Sequence, residues 1–81
     1  MKFRKKPVEI EAIQWDGFNV EEMKTFITSD YSIVGIRLYL KTLESDGETQ
    51  LAMPADWIIK GVKGEFYPCK PDVFEQTYEA V

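Results

Sequence analysis

Histidine is missing from this chain, and cysteine occurs once, as Cys69, among 81 residues. Without an imidazole no Ser-His-Asp or Cys-His arrangement can be assembled, so acid–base work would fall to carboxylates, lysines, tyrosines or the single thiol. One cysteine leaves no disulfide within a chain. A zinc site of the usual Cys/His type would need ligands from several chains. No metal and no cofactor is therefore expected. No apolar run approaches the roughly 20 residues of a membrane-spanning helix. A basic excess is also lacking: 14 acidic residues against 10 basic give a net charge of −4, which argues against general nucleic-acid binding. The start of the chain is basic, with Lys2, Arg4, Lys5 and Lys6, but Pro7-Val8-Glu9-Ile10-Glu11 follows. The two glutamates interrupt the apolar stretch that a secretory signal needs, so a cytoplasmic location is expected.

What is present suits one small domain spanning residues 1–81. Apolar residues make up 44% and aromatics 14%, with two Trp, four Tyr and five Phe. That is enough for a core, or for a core plus an exposed binding face. A domain of this size buries a modest share of its surface, and a homo-oligomer is the expected way to bury more.

Alternation predicts a strand over residues 8–15, with Val8, Ile10 and Ala12 on one face and Glu9, Glu11, Ile13 and Trp15 on the other; if the first face is the core, Trp15 is left outside it. Asp16-Gly17 is a turn signal. Asn19 and Glu22 have the spacing of a capping box, and Phe18 and Met23 that of a hydrophobic staple. Val20, Met23, Phe26 and Ile27 then give a short helix its apolar face, ending near Ser29. Residues 33–43 read as a strand interrupted or bulged near Gly35, with Ile36, Leu38 and Leu40 on one face and Arg37, Tyr39 and Lys41 on the other. Asp46-Gly47 signals a hairpin whose returning strand is 48–53, ended by Pro54. Residues 57–62 and 65–69 form a second hairpin through Lys63-Gly64. Pro71 suits the first turn of a short helix over 71–76, and 77–81 can close as a strand. The fold class is α+β: a small, mainly antiparallel sheet of two hairpins plus the N-terminal strand, one main helix packed on a face, and a short C-terminal helix.

Two segments carry a resemblance. One is residues 2–15, Lys-Phe-Arg-Lys-Lys-Pro-Val-Glu-Ile-Glu-Ala-Ile-Gln-Trp. The other is residues 54–79, which contain Pro54-Ala55-Asp56-Trp57, Gly64-Glu65-Phe66-Tyr67-Pro68 and Phe74-Glu75-Gln76-Thr77-Tyr78-Glu79. Together they resemble a family of small proteins encoded by bacteriophages and prophages, with a Pro-Gly-Asp-Trp/Tyr motif, a Gly-Glu-Phe-Tyr-Pro segment and a Phe-Glu-x-Thr-Tyr-Glu end. The resemblance implies a phage setting and no particular chemistry. Ala55 departs from it, standing where the family has Gly. Either the turn does not need the backbone angle that Gly permits, or the local geometry differs.

Candidate site residues each carry two readings. Asp56 beside Trp57 could meet a ligand's hydroxyls or base edge, or be a turn aspartate bonded to nearby backbone N–H groups. Lys60, Lys63 and the glycines between and after them could hold a phosphate, though without the spacing of a P-loop, or could form a plain hairpin turn with solvated lysines. Arg4, Lys6 and Lys70 could join them. Of Phe66 and Tyr67, alternation lets only one face the core, leaving the other for stacking on a base or peptide. Cys69 reads as a bystander thiol. Trp15 serves either an oligomer contact or ligand stacking, or tucks over the sheet edge. The basic arm could reach a neighbouring subunit's anionic ligand, or be a solvated terminus. Arg37 completes the set of cations.

Two functions fit. The first is a non-catalytic phage-encoded binding protein that sequesters a nucleotide-type immune signal of the bacterial host, a small anionic ligand held by aromatic planes and cations. The second is a protein–protein interaction module acting on a host or phage protein, using exposed aromatics and the acidic residues Glu9, Glu11, Glu21 and Glu22. An enzyme is not expected, because no nucleophile–base pair can be named. Sequestration requires several of Arg4, Arg37, Lys60, Lys63 and Lys70 to converge on one cleft with an aromatic wall. A protein module requires a broad apolar patch with a polar rim instead.

Overall fold

The structure is a computed structural model that describes residues 10–41 and 49–78. Its elements are β1 (Glu11–Gln14), α1 (Val20–Phe26), β2 (Tyr31–Val34), β3 (Arg37–Lys41), β4 (Thr49–Ala52), β5 (Trp57–Lys60), β6 (Phe66–Cys69) and α2 (Pro71–Thr77). The α+β class and the antiparallel pairing follow the hairpin signals. The strands divide into two three-stranded sheets, β1-β5-β6 and β2-β3-β4, where one sheet was expected. The basic arm, the turn at Asp46-Gly47 and residues 79–81 lie outside the described residues. Strands β3 and β4 pair antiparallel, with Lys41 opposite Thr49.

The extra hairpin comes from residues 31–41. These do not form one bulged strand. Val34 pairs with Arg37 across Gly35-Ile36, and Gly35 has a φ of 62°. Glycine with positive φ at the first of two loop positions is a type II′ hairpin turn, which reverses the chain where a bulge would only bend it. Ile36 therefore sits in an exposed turn, while Leu38 and Leu40 are buried as expected.

Of the two faces that alternation gives β1, the one with Ile13 and Trp15 is the core face. Ile13 packs against the core and Trp15 is fully buried within it. A one-residue shift exchanges the two faces of a strand, and Ile13 with Trp15 offers far more apolar area than Ala12. The core of Trp15, Met23, Ile27, Leu38, Leu40, Ala52, Ile58 and Phe66 lies between the two sheets, closed by α1. Phe26 meets Phe66 edge-on at 5.4 Å. Ile59 is also fully buried, but its pairing with Ala12 and Tyr67 puts it on the opposite face of the first sheet. There α2 lies, with Phe74 stacked on Trp57 at 4.2 Å and 6°.

The start of α1 differs from the capping-box and staple expectations. Asn19 occupies the N-cap position but makes no side-chain cap bond, and Phe18 is 84% exposed, so no staple forms. Val20 is exposed too, leaving Met23 as the buried residue of the helix. The helix stops at Phe26 because Ile27 turns to extended backbone, its N–H donating to the Met23 carbonyl. At the other end of the chain, Pro71 begins α2 as expected, but the helix runs through Thr77, the residue at which a strand was expected to begin.

Residues 53–56 make a tight turn in which the Asp56 N–H donates to the Met53 carbonyl at 3.0 Å. Pro54 follows Met53, and Ala55 has a φ of 82°. This is the type II pattern, with proline first and a residue of positive φ second, a place that favours Gly. Ala55 adopts the angle despite its Cβ, which costs about 1–2 kcal/mol. Ala55→Gly is therefore expected to raise the urea midpoint of unfolding. After the greater entropy loss of glycine is subtracted, the gain is about 0.5–1 kcal/mol. A lowered midpoint would mean that restriction of the unfolded chain by Ala55 outweighs the strain.

Candidate functional site

Three turns meet at one end of the molecule: 16–19 after β1, Gly35-Ile36 after β2, and 53–56 before β5. Trp15 joins them. Its N–H donates to the Asp56 carbonyl at 2.8 Å and its carbonyl accepts from the Ala55 N–H at 2.6 Å. Its indole Nε1–H donates to the Ile36 carbonyl at 2.8 Å. The Gln14 Nε2 group adds a bond to the Ala55 carbonyl at 3.0 Å. Gly17, at a φ of 91°, lies so close that a Cβ there would sit 3.2 Å from Pro54 Cγ and 3.4 Å from Ile36 Cγ2.

The first of these turns is locked by two short polar side chains. Asp16 Oδ1 accepts from the Phe18 N–H at 2.7 Å and the Asn19 N–H at 2.8 Å. Asn19 Oδ1 accepts from the Asp16 N–H at 3.0 Å, and Asn19 Nδ2 donates to the Gln14 carbonyl at 2.9 Å and to Glu22 Oε1 at 3.1 Å. These bonds replace the helix cap expected of Asn19 and Glu22. The Phe18 carbonyl accepts from the Val20 N–H at 2.8 Å. Both backbone polar groups of Phe18 are thus held while its ring stands in solvent, and Ile36 and Val20 are exposed as well. Phe18 and Ile36 were not among the expected site residues. The available signal was the pair Asp16 and Asn19, residue types whose side chains bond nearby backbone in turns.

The expected site residues separate into groups. Trp15 is buried, so its ring is not open to a ligand. Asp56, Trp57, Tyr67 and Lys70 gather near α2. Asp56 is buried, its Oδ2 accepting from the Met53 N–H at 3.0 Å and from Lys70 Nζ at 3.1 Å. That is the turn-aspartate arrangement. Trp57 lies under Phe74, whose ring centroid is 5.1 Å from that of Tyr78, and Tyr67 neighbours Tyr78. Lys63 belongs to the opposite end of the β5–β6 hairpin, because Lys60 pairs with Phe66 there while Trp57 pairs with Cys69 next to Lys70. Lys60 is opposite Glu11 on β1. The 60–64 turn does not form a phosphate cradle. The Gly61 and Gly64 N–H groups donate to the Glu65 and Gly61 carbonyls at 2.7 and 3.0 Å, and the Glu65 carboxylate fills the space over Gly61. Arg37 is exposed at the start of β3. Arg4 and Lys6 lie outside the described residues. Lys63 thus stands apart from Lys70.

Burial raises the Cys69 thiol, and the Asp56 and Asp72 carboxylates raise it further. A thiol held protonated is a weak nucleophile. Tyr67 is pushed up to about 12, first by burial, then by its hydrogen bond to Tyr78 and the nearby charges of Tyr78, Glu65 and Cys69. Among the described residues no three His, Cys, Asp or Glu side chains cluster as metal ligands, and no helix is long and apolar enough to cross a membrane. Set against known families, curated proteins and solved structures, the chain matches no family model, no curated protein and no solved structure.

Two measurements check this region. The Lys70 side chain is 65% exposed, so Lys70→Ala is expected to cost under about 1 kcal/mol. Asp56→Ala also removes the acceptor of the Met53 N–H and is expected to cost about 2 kcal/mol or more. Equal losses would assign the role of Asp56 to the ion pair alone. For Tyr67 the folded state holds its proton more tightly than the unfolded chain, whose ordinary value is 10.0. Its contribution is intact below about pH 10 and lost as pH rises toward about 12. Unfolding midpoints measured across that window should fall more steeply for the wild type than for Tyr67→Phe. Parallel curves would show that Tyr67 is not the group responsible.

Proposed function

We propose that this chain is a non-catalytic binding protein that works as a protein–protein interaction module. The observation that carries the reading is the end of the molecule where three hydrogen-bonded turns hold exposed Phe18 and Ile36 in place. A rigid apolar projection loses little entropy on docking, which is what an interface anchor needs. Asp16, Glu21 and Glu22 supply a polar rim. The absent histidine, the protonated thiol of Cys69 and the paired carboxylate of Asp56 fit a protein without acid–base chemistry. The resemblance to phage and prophage proteins points to a partner from the bacterial host or the phage itself, met in the cytoplasm.

The nucleotide-sequestering reading has its own supporting observation, the aromatic group Trp57, Phe74, Tyr78 and Tyr67 beside Lys70. One cation, already bonded to Asp56, does not neutralise a multiply charged ligand. That reading therefore needs further cations, from Arg4 and Lys6 or from a second copy in a homo-oligomer.

The test has two arms. Immobilised full-length protein is used to capture partners from host and phage-infected lysates, and each captured protein is purified and titrated against it. In parallel, the protein is screened by thermal shift against nucleotides, cyclic oligonucleotides and cyclic ADP-ribose isomers. A defined complex between purified components, with no nucleotide shift, is the expected result. A ligand at a thousand times its dissociation constant stabilises by about 4 kcal/mol. A shift of that size, with the nucleotide recovered intact, would replace the protein-module reading with sequestration.

A further inference from the structure

Resting on the protein-module reading, we propose that Phe18 is the anchor of the interface and that its receptor is an apolar socket on another protein, rimmed by lysine or arginine. Phe18 is the most exposed of the large apolar residues among the described residues, at 84%. A solvent-exposed phenylalanine on a floppy loop would be unremarkable. This one is different because its loop is fixed from both sides. Asp16 holds its N–H, Val20 engages its carbonyl, and Asn19 ties the loop back to the Gln14 carbonyl. Beneath the loop, Gly17 fits against Pro54 and Ile36 with no room for a Cβ to enter freely. These bonds also account for the missing staple. They divert Asn19 from its cap role and leave the Phe18 ring turned away from Met23, which is buried. An aromatic ring carried on a fixed backbone, with polar groups around it that exclude water once docked, has the make-up of an interaction hot spot.

Charge selects the kind of partner. Asp16, Glu21 and Glu22 lie within four residues of Phe18 in the sequence; Lys24 follows on α1 and Arg37 follows Ile36 on β3, both exposed, so the acidic residues of this end outnumber the basic ones. Glu21 and Glu22 are exposed in the first turn of α1. A socket with a basic rim gains from these carboxylates in both steering and register. A second copy docking through the same face would set carboxylates against carboxylates, so self-association through Phe18 is disfavoured.

The experiment introduces a photo-reactive benzophenone side chain at position 18, in the full chain expressed in the bacterial host. Position 62 serves as the control. Val62 is a comparably exposed apolar residue, at 71%, on the β5–β6 turn. The expected result is a crosslink to one other protein from position 18 and none from position 62. With that protein purified, Phe18→Ala should weaken binding at least 30-fold, the effect of a hot-spot residue at about 2 kcal/mol. Its melting temperature should match the wild type, because the ring contributes no burial. Glu21→Lys with Glu22→Lys should slow association and weaken its dependence on salt. A crosslink from position 62 alone, a crosslink from position 18 to a second copy of the chain, or binding untouched by Phe18→Ala would each overturn the anchor while leaving the protein-module reading in place. No protein crosslinked from either position, together with no complex in the capture experiment, would overturn both.

Discussion

The Trp15 side chain and its peptide groups join strand β1 to two other segments at once. Its backbone continues the ladder to Ala55 and Asp56, and its indole N–H reaches the Ile36 carbonyl. A buried indole N–H without a partner would cost about 1–3 kcal/mol, so the β2–β3 turn is constrained to present a carbonyl at that point. The same burial makes Trp15 the largest fully buried side chain of the core. One residue therefore ties the two sheets together through both apolar area and directed bonds.

Several local peculiarities trace to that tie. The turn before β5 must bring both the Ala55 N–H and the Asp56 carbonyl to Trp15. The type II geometry that does so places Ala55 at positive φ, a conformation an L-residue keeps only when the surroundings hold it there. The chain leaving Trp15 has to clear Pro54 and Ile36, which only Gly17 does without displacement. Asp16 and Asn19 then close the loop on itself and turn Phe18 outward. Strain and exposed apolar surface thus accumulate at one end of the molecule. That end gains rigidity from bonds made below its surface, and this combination favours docking because little freedom remains to be lost.

The two faces of the first sheet have different tasks. One face joins the core with Ile13, Ile58 and Phe66. The other carries Trp57, Ile59 and Tyr67 beneath α2, whose two turns are held by the stacking of Phe74 on Trp57 and by the contact of Tyr78 with Tyr67. The Asp56–Lys70 pair sits where this layer meets the turn end. Much of the aromatic content that looked available for a ligand is thereby engaged in holding the second helix.

The β5–β6 hairpin and the turn before β5 were readable from local chemistry, but the β2–β3 hairpin was not. Proline at 54 and 71, glycine at 35 and 64, and the alternation of Leu38 with Leu40 act through the nearest few residues, and each marks an element boundary or a buried face in the structure. The turn role of Asp56 was legible for the same reason. The inward face of β1 was not, because alternation names two faces without ranking them. The choice fell to the sum of contacts that Ile13 and Trp15 make with segments more than twenty residues away. The outward turn of Phe18 was equally hidden. Sequence spacing allows the staple, and only the packing of Gly17 against Pro54 and Ile36 closes that option. The sequence by itself determined the class, the antiparallel pairing and most of the turns, since these depend on backbone angles and short-range period. Only the tertiary structure decided which aromatics are core, which cations stand apart and which apolar residue faces solvent, since those outcomes depend on distances between segments that are remote along the chain.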